Sequence, residues 1–587
     1  MLTATLALQQ KGNNMTHHWG AVPHDDGTWS VSTWAPSAKA VTVQLKGGKQ
    51  AMVPDGEGWW YARVGAAPGT PYQFIADGQT MPDPASRLQA GGVHDQSVLV
   101  DHRTYPWRST WQGRPWPEAV VYEMHVGTFT PAGTFAAARD KLAALAELGI
   151  TAIEIMPVGQ WAGDRGWGYD GVLPYAPHPA YGTPEDFKSF VEHAQSLGMM
   201  VLLDIVMNHF GAEGAHLHSL TPEFFAPERH TPWGAAIHFD RPAVREFWIG
   251  CASMWLGDYR LDGFRFDAVH EITGPGADDF LAEMATTLRA LAPDRSIHLI
   301  TEDDRNAPDW RENGLFDASW NDDFHHAIHT ALTGEAHDYY VSYSVDPIDD
   351  LCRALAHGQV EEGQEREGRD TPRGKPSQHL QPSAFVNAIQ THDQIGNRPH
   401  GERLITLADK QGVEIAYGML LVAPYIPMIV MGEERGEQAP FLFFADFEGD
   451  LADAIREGRA KEIGAIAAAE EPPPDPLALE TFLASKLRWN TDATAQHWLS
   501  LTRRALAFRR DYVVPLIKSG REGPAQVRRI GTGAIEAHWQ FAAGSLHLTV
   551  NFGAVGHFPP GAAYPQFSLN DIARDTYALN VQGKFND

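Results

Sequence analysis

The run "YRLDGFRFDAVHE", residues 259–271, decides the fold of this chain. Leu261, Phe264, Phe266 and Val269 read as sheet packing. Arg265 and Asp267 interrupt them two residues apart, so in an extended strand both point to the same side. A charged pair on one face of an apolar strand is costly unless something uses it.

The surrounding segments supply a context for that strand. From about residue 118 strands and helices alternate. "AVVYEMHVGTF", "ITAIEIMPV", "MMVLLDIVMNH", "LDGFRFDAVH", "IHLITED", "FDASWNDD", "SAFVNAIQTHD" and "PYIPMIVMGEE" are nearly continuous apolar runs, as parallel strands buried on both faces require. Between them, "FAAARDKLAALAELG" reads as a helix closing on Gly149, and "TPEDFKSFVEHAQSLG" as one opening on a Thr-Pro cap and closing on Gly198. Eight strands with intervening helices predict an α/β fold, a (β/α)8 TIM barrel. A doubly wound open sheet is the alternative, and no phosphate-binding glycine fingerprint supports it.

On either side of the barrel the pattern turns all-β. Residues 18–104 hold short alternating strands at roughly ten-residue spacing, which predicts a β-sandwich; its "STWAPSAKAVTV" resembles carbohydrate-binding-like modules that precede catalytic barrels. Residues 105–518 are the expected catalytic barrel, ending in the amphipathic helix "HWLSLTRRALAFRRDYV". Residues 519–587 read as a small C-terminal β domain. Residues 361–379 read as an exposed loop or helix connection, and "EEPPPDP" as a surface linker. Residues 1–17 read as a disordered tail, and Met15 is an alternative start.

Bulk composition narrows the partners. The chain has 587 residues and a net charge of −28, which disfavours nucleic acid and anionic membranes because both need basic surface. No stretch approaches the length of a membrane span. Two cysteines leave no disulfide framework, so the expected compartment is the cytoplasm. With 18 Trp, 16 Tyr and 27 Phe, rings beyond those needed for the core suit stacking on a neutral, hydroxyl-rich ligand.

A TIM barrel carries its site at the C-terminal ends of its strands. There the third strand offers Asp204, Asn208 and His209. The fourth offers Arg265, Asp267 and His270, and the fifth Glu302, Asp303 and Asp304. The seventh offers His392, Asp393 and Asn397, and the eighth Glu433 and Glu434. Taken singly, each has an ordinary reading: a buried ion pair for Arg265 and Asp267, satisfied core histidines for His209 and His392, a loop cap for Asp204, packing for Tyr169. Acidic ends converging on one mouth point either to metal-assisted chemistry or to glycoside cleavage by two carboxylates. The ends of adjacent strands four and five suit the second, with Asp267 held anionic by Arg265 and Glu302, among acidic neighbours, holding a proton.

The blocks "DIVMNH" (204–209), "GFRFDAVH" (263–270), "ITED" (300–303) and "THDQIGN" (391–397) resemble the four blocks of the α-amylase superfamily of glycoside hydrolases. That resemblance implies Asp267 as nucleophile, Glu302 as general acid/base and Asp393 as transition-state stabiliser. Tyr169, Asp204, His209, Arg265 and His392 would build the sugar subsite. Longer segments, among them "RHTPWGAAIHFD" (229–240), "EDDRN" (302–306) and "WNDDFHHAIHTALTGE" (320–335), resemble one subgroup, the maltooligosyltrehalose trehalohydrolases. The implied substrate is maltooligosyltrehalose, the products trehalose and a maltooligosaccharide, and the supplier of substrate a maltooligosyltrehalose synthase. His270 is a further substrate-binding candidate, and Asp303 in "EDDRN" and Trp320 in "WNDDFHH" are candidates on the leaving-group side. No cofactor and no metal are implied, although relatives in the superfamily often ligate calcium through the position of Asn208. Arg435 stands where the subgroup usually has an aromatic ring. Branching or debranching within the superfamily is the near rival, and a non-catalytic carbohydrate-binding protein the distant one.

Overall fold

The computed structural model describes residues 18–466, 472–553, 566–570 and 577–586; the expected tail at 1–17 lies outside them. Eight parallel strands form the centre: β1 (Val121–Met124), β2 (Ala152–Ile155), β3 (Met200–Ile205), β4 (Gly263–Phe266), β5 (His298–Thr301), β6 (Ala318–Trp320), β7 (Phe385–Asn387) and β8 (Ile426–Val430). Val121 of β1 pairs with Met428 of β8, which closes the barrel and excludes the open sheet.

Side chains alternate between the two faces of these strands, as the two-residue strand period demands. Outward-facing Tyr122, Ile153, Val201, Leu203, Phe264, Phe266 and Leu299 join the large core beneath the helices. Inward-facing Val121, Ala152, Met200, Leu202, Ile300, Ala318, Trp320, Val386, Ile426 and Met428 fill the barrel. Gly263 is required in β4: at its φ of 153° a Cβ would meet the His298 backbone oxygen at 1.8 Å.

The helix over Pro184–Ser196 opens on the expected Thr183 cap, completed by a reciprocal bond to Asp186. The helix expected to close on Gly149 does so, with Gly149 in the left-handed region at φ 111°. It is split into Phe135–Arg139 and Leu142–Leu148 by a tightened turn in which the Lys141 amide donates to the Ala138 carbonyl.

At the N-terminal side two antiparallel sheets pack face to face. Trp29 and Val31 of one meet Val41, Val43, Tyr72 and Phe74 of the other in a single apolar cluster. At the C-terminal side one five-stranded antiparallel sheet runs between Gln526 and Phe585. Cys251 and Cys352 are buried free thiols. Among the described residues no helix is long and apolar enough to cross a membrane.

The segment 361–379 departs from its expectation as an exposed loop. It lacks regular structure but is tied inward: Glu361 is buried and faces Arg366, Arg369 and Arg373. Arg373 continues to Asp323 and the Tyr343 hydroxyl. The polar composition that suggested solvent exposure serves an internal ion network. Of "EEPPPDP", residues 470 and 471 lie outside the described residues and 472–475 are largely exposed.

Candidate active site

Register places Asp204 of β3 directly beside Arg265 of β4. Neighbours paired in parallel strands face the same side, so both enter the barrel. One nitrogen of Arg265, Nη1, lies 2.7 Å from Asp204 Oδ2 and 2.7 Å from Asp267 Oδ1. The other, Nη2, lies 2.6 Å from Glu302 Oε2, a close ion contact without hydrogen-bond alignment. The guanidinium rests on the Trp320 ring, 4.2 Å from its centroid. A single buried cation thus gathers three carboxylates from three successive strands.

Beyond Phe266 the chain turns sharply. Ala268 has a φ of 41°, a costly conformation for a residue with a Cβ. The turn aims the Ala268 amide at Glu302 Oε2, at 2.8 Å. Asn208 Nδ2 donates to both the carboxylate and the backbone oxygen of Asp267, at 2.9 and 3.0 Å. Tyr169 donates to Asp204 at 2.6 Å and stacks on His392, the ring centroids 5.3 Å apart. His392 lies 3.4 Å from Asp393 through Nε2.

Exposure rises from floor to rim. Arg265, Asp204 and His392 are buried, whereas the side chains of Asp267, Glu302 and Asp393 are 10, 20 and 38 % exposed. These three are the carboxylates that a molecule entering from solvent meets first. Burial pushes the Glu302 carboxyl well above the usual range; Arg265 opposes this, and Asp267, Asp393 and Asp322 add to it. Burial likewise lifts Asp204 to about 6 against the pull of Arg265. His392 is raised too, but for the opposite reason: burial disfavours its charge, yet Asp393 and Glu123 raise it to about 9. The cluster therefore juxtaposes a proton-holding carboxyl with a second carboxyl gripped by a fixed cation.

Not every candidate joins it. Trp320, expected to stack on sugar, is covered by Arg265 and belongs to the barrel filling. Asp303 turns away and is gripped by Arg305, at 2.7 Å to Nε. His270 stands beside the opening, its Nδ1 accepting from the Asp304 amide. His209 is spent on neighbours: Nε2 contacts the Tyr169 carbonyl at 2.9 Å and Nδ1 contacts Asn208 Oδ1. Glu433 and Glu434 do not reach the mouth. Glu433 is tied to Gln390 and the Val430 amide, Glu434 to Tyr122 and the Gly432 amide. Arg435 lies over the Trp489 ring and beside Glu434.

Four residues escaped individual notice. Glu123 accepts from the backbone amide and Nδ1 of His392, at 3.0 and 2.6 Å. Glu154 pairs with it in register across β1 and β2. Both stand alone among apolar residues in "VVYEM" and "TAIEIM", the same signal that marked Arg265. Asp322, at the start of the helix Asp322–Thr333, acts on Glu302 and is itself lifted to about 6 by burial. Trp233, half exposed on a hairpin, stacks on His209 with centroids 4.8 Å apart. Its position depends on a non-local hairpin contact and left no local signal.

A calcium ion at Asn208 does not suit this geometry. The amide nitrogen donates to Asp267 and the oxygen faces His209 Nδ1, so protein partners hold both ends of that side chain. Among the described residues no group of three or more His, Cys, Asp or Glu side chains could hold a metal.

Comparison with known proteins agrees with this architecture. The family model of the alpha amylase catalytic domain matches residues 123–229. The malto-oligosyltrehalose trehalohydrolase of Deinococcus radiodurans is 39% identical over 536 residues, spanning 88% of either chain. That of Saccharolobus solfataricus is 38% identical, over 83% of this chain and 86% of the relative. A 1,4-alpha-glucan branching enzyme from Jannaschia is 32% identical but over only 43% of this chain. A crystal structure of an alpha-amylase-like protein from Salmonella typhimurium superposes with a TM-score of 0.93, at 46% identity, over 97% of this chain and all of the other. By identity sustained along nearly its whole length, the chain belongs to the malto-oligosyltrehalose trehalohydrolase family.

Proposed function

We propose that this protein is a retaining glycoside hydrolase that cleaves the α-1,4 bond next to the terminal trehalose unit of maltooligosyltrehalose and releases trehalose. The observation that carries the mechanism is the grip of one guanidinium on Asp267 and Glu302. Carboxylates held on two nitrogens of one cation are close neighbours. That suits the separation of about 5–5.5 Å used in retaining hydrolysis better than the 6.5–9.5 Å that leaves room for an intervening water.

Asp267 attacks the anomeric carbon, and the bond to the leaving oxygen breaks as Glu302 delivers its proton to that oxygen. The covalent glycosyl-enzyme is then opened by water, whose proton returns to Glu302. Burial and neighbouring carboxylates keep Glu302 protonated for the first half. Asp393 and His392 receive the hydroxyls of the distorted ring, and Tyr169 faces that ring. Arg265, Asp204 and Asn208 hold Asp267 in place. His209 orients Asn208 and backs Trp233, which offers its free face to a sugar. His270 and Asp322 border the leaving-group side, where discrimination between a 1,1-linked pair and a linear end has to arise.

The division into residues 18–104, 105–518 and 519–587 accompanies this reading, as does a cytoplasmic setting. A maltooligosyltrehalose synthase is the class of enzyme that would supply the substrate. The test is to incubate the protein with maltotriosyltrehalose and with maltopentaose and separate the products. Trehalose from the first, with the second nearly untouched, is expected. Equal cleavage of both would make the protein a general amylase, and transfer of chains a branching enzyme.

A further inference from the structure

A cavity away from the carboxylate ring opens at the other end of the barrel. It has a volume of about 450 Å³, within the range of small-molecule sites. One wall is the N-terminal rim, where Val120 leads into β1, Thr151 into β2 and Gly198 lies just before β3. The facing wall is the last long helix, Ala493–Phe508, and the turn after it. Arg503, Leu506, Ala507, Arg510 and Val514 line the cavity, at the spacing of one helical face.

The charge here is unusual for a chain of net −28. Arg114, Arg503, Arg509 and Arg510 line the cavity against Glu118 and Glu147 only. Glu118 is already shared between Arg114, at 2.9 Å, and Lys518, at 3.0 Å. Arg510 pairs with Asp511 at the surface. Arg503 is exposed and has neither ion pair nor hydrogen bond among the described residues. Arg509 is buried without a carboxylate. Its Nη atoms donate to the carbonyls of Leu421, Ala423 and Tyr425, and its Nε has no partner. Carbonyl dipoles answer only part of a full charge, and burial pushes this guanidinium down to about 9.

Backbone geometry singles out the same place. Residues Arg509–Val513 form a π-helical turn, an irregularity found frequently at functional sites. It carries Arg509 and Arg510 and changes the helical phase before Val514 reaches the cavity. Arginine forks match phosphate oxygens, and the walls between them, Val120, Leu148, Ile150, Leu197 and Leu506, are apolar.

We propose that this cavity binds a phosphate-bearing small molecule, with Arg503 and Arg510 on the phosphate and Arg509 beneath as a fixed positive field. The bound anion would tie the last helix to the barrel rim, remote from the hydrolytic site.

The probes are inorganic phosphate, glucose 6-phosphate and AMP, titrated into the full chain by calorimetry at constant ionic strength. One saturable site and a raised melting temperature are expected for at least one of them. Tighter binding of one organic probe than of inorganic phosphate identifies a sugar or nucleoside phosphate; equal binding identifies phosphate itself. Arg503→Gln should weaken binding about tenfold or more, with Arg503→Lys intermediate, because the fork is lost before the charge. Both variants should keep glycosidase activity, which shows that they are folded. Absence of a saturable site for all three probes, or binding that neither Arg503→Gln nor Arg510→Gln weakens, would overturn the proposal.

Discussion

Glu123 on β1 holds His392 by two bonds, one to its backbone amide and one to its Nδ1, the latter at 2.6 Å. The pair spans the barrel closure and keeps the imidazolium charged beside Asp393. His392 titrates near 9 in the fold against 6.5 for the free side chain. Its stabilising contribution is therefore complete below about pH 6.5 and is lost as pH rises through about 9. Glu123→Gln should shift the alkaline limb of the kcat/KM profile to lower pH and lower stability most at about pH 6, the deficit shrinking as pH rises through about 9. A profile identical to that of the parent would show that His392 is not charged in the working enzyme.

The two central carboxyls should fail differently. Asp267→Asn removes the proposed attacking group and should lose all substrates alike, by at least about 10³-fold. Glu302→Gln should lose about 10²–10⁴-fold on the oligosaccharide but far less on a glycosyl fluoride, whose leaving group needs no proton. Steady-state rates on both substrates decide it; equal losses for Glu302→Gln would deny its role as acid.

Arg265 is the counter-ion of three carboxylates, so Arg265→Met leaves them facing one another in a buried site. A loss of about 3–5 kcal/mol in denaturant unfolding at pH 7 is expected. Asp204 is already lifted to about 6, so the folded state takes up protons more readily than the unfolded chain between pH 3.8 and 6. Removing Arg265, which pulls Asp204 down, raises that carboxyl further, so the deficit of the variant should shrink as pH falls toward about 6 and level off below it. A deficit independent of pH would place the cost in packing on Trp320 instead.

Trp233 is half exposed, so its removal should spare stability. Trp233→Ala should raise KM by about tenfold with a smaller change in kcat, consistent with a lost stacking face. A variant with unchanged KM would leave the ring a surface residue.

Asn208 is held at both ends by protein partners, Asp267 and His209. Prolonged dialysis against chelator should leave rate and melting temperature unchanged. A loss of both, restored by calcium, would require Asn208 to release His209 and would move the site into the metal-dependent class.

The alternation of apolar runs and helices was enough to predict a closed barrel, because strands buried on both faces have to be apolar throughout. The pairing of Arg265 and Asp267 on one face was legible from a two-residue spacing, and so was the set of acidic strand ends. Which of those ends meet was not. Asp303 and Trp320 carry the same local signal as Asp267, yet Arg305 turns one aside and Arg265 covers the other. Glu433 and Glu434 are captured by backbone amides just past β8. Glu123 becomes part of the site through a contact with a residue far along the chain, 269 positions away. Side-chain direction along one strand is set by the local backbone, and the sequence alone determines it. The partner that claims each side chain depends on register and closure between strands, and only the tertiary structure decides that.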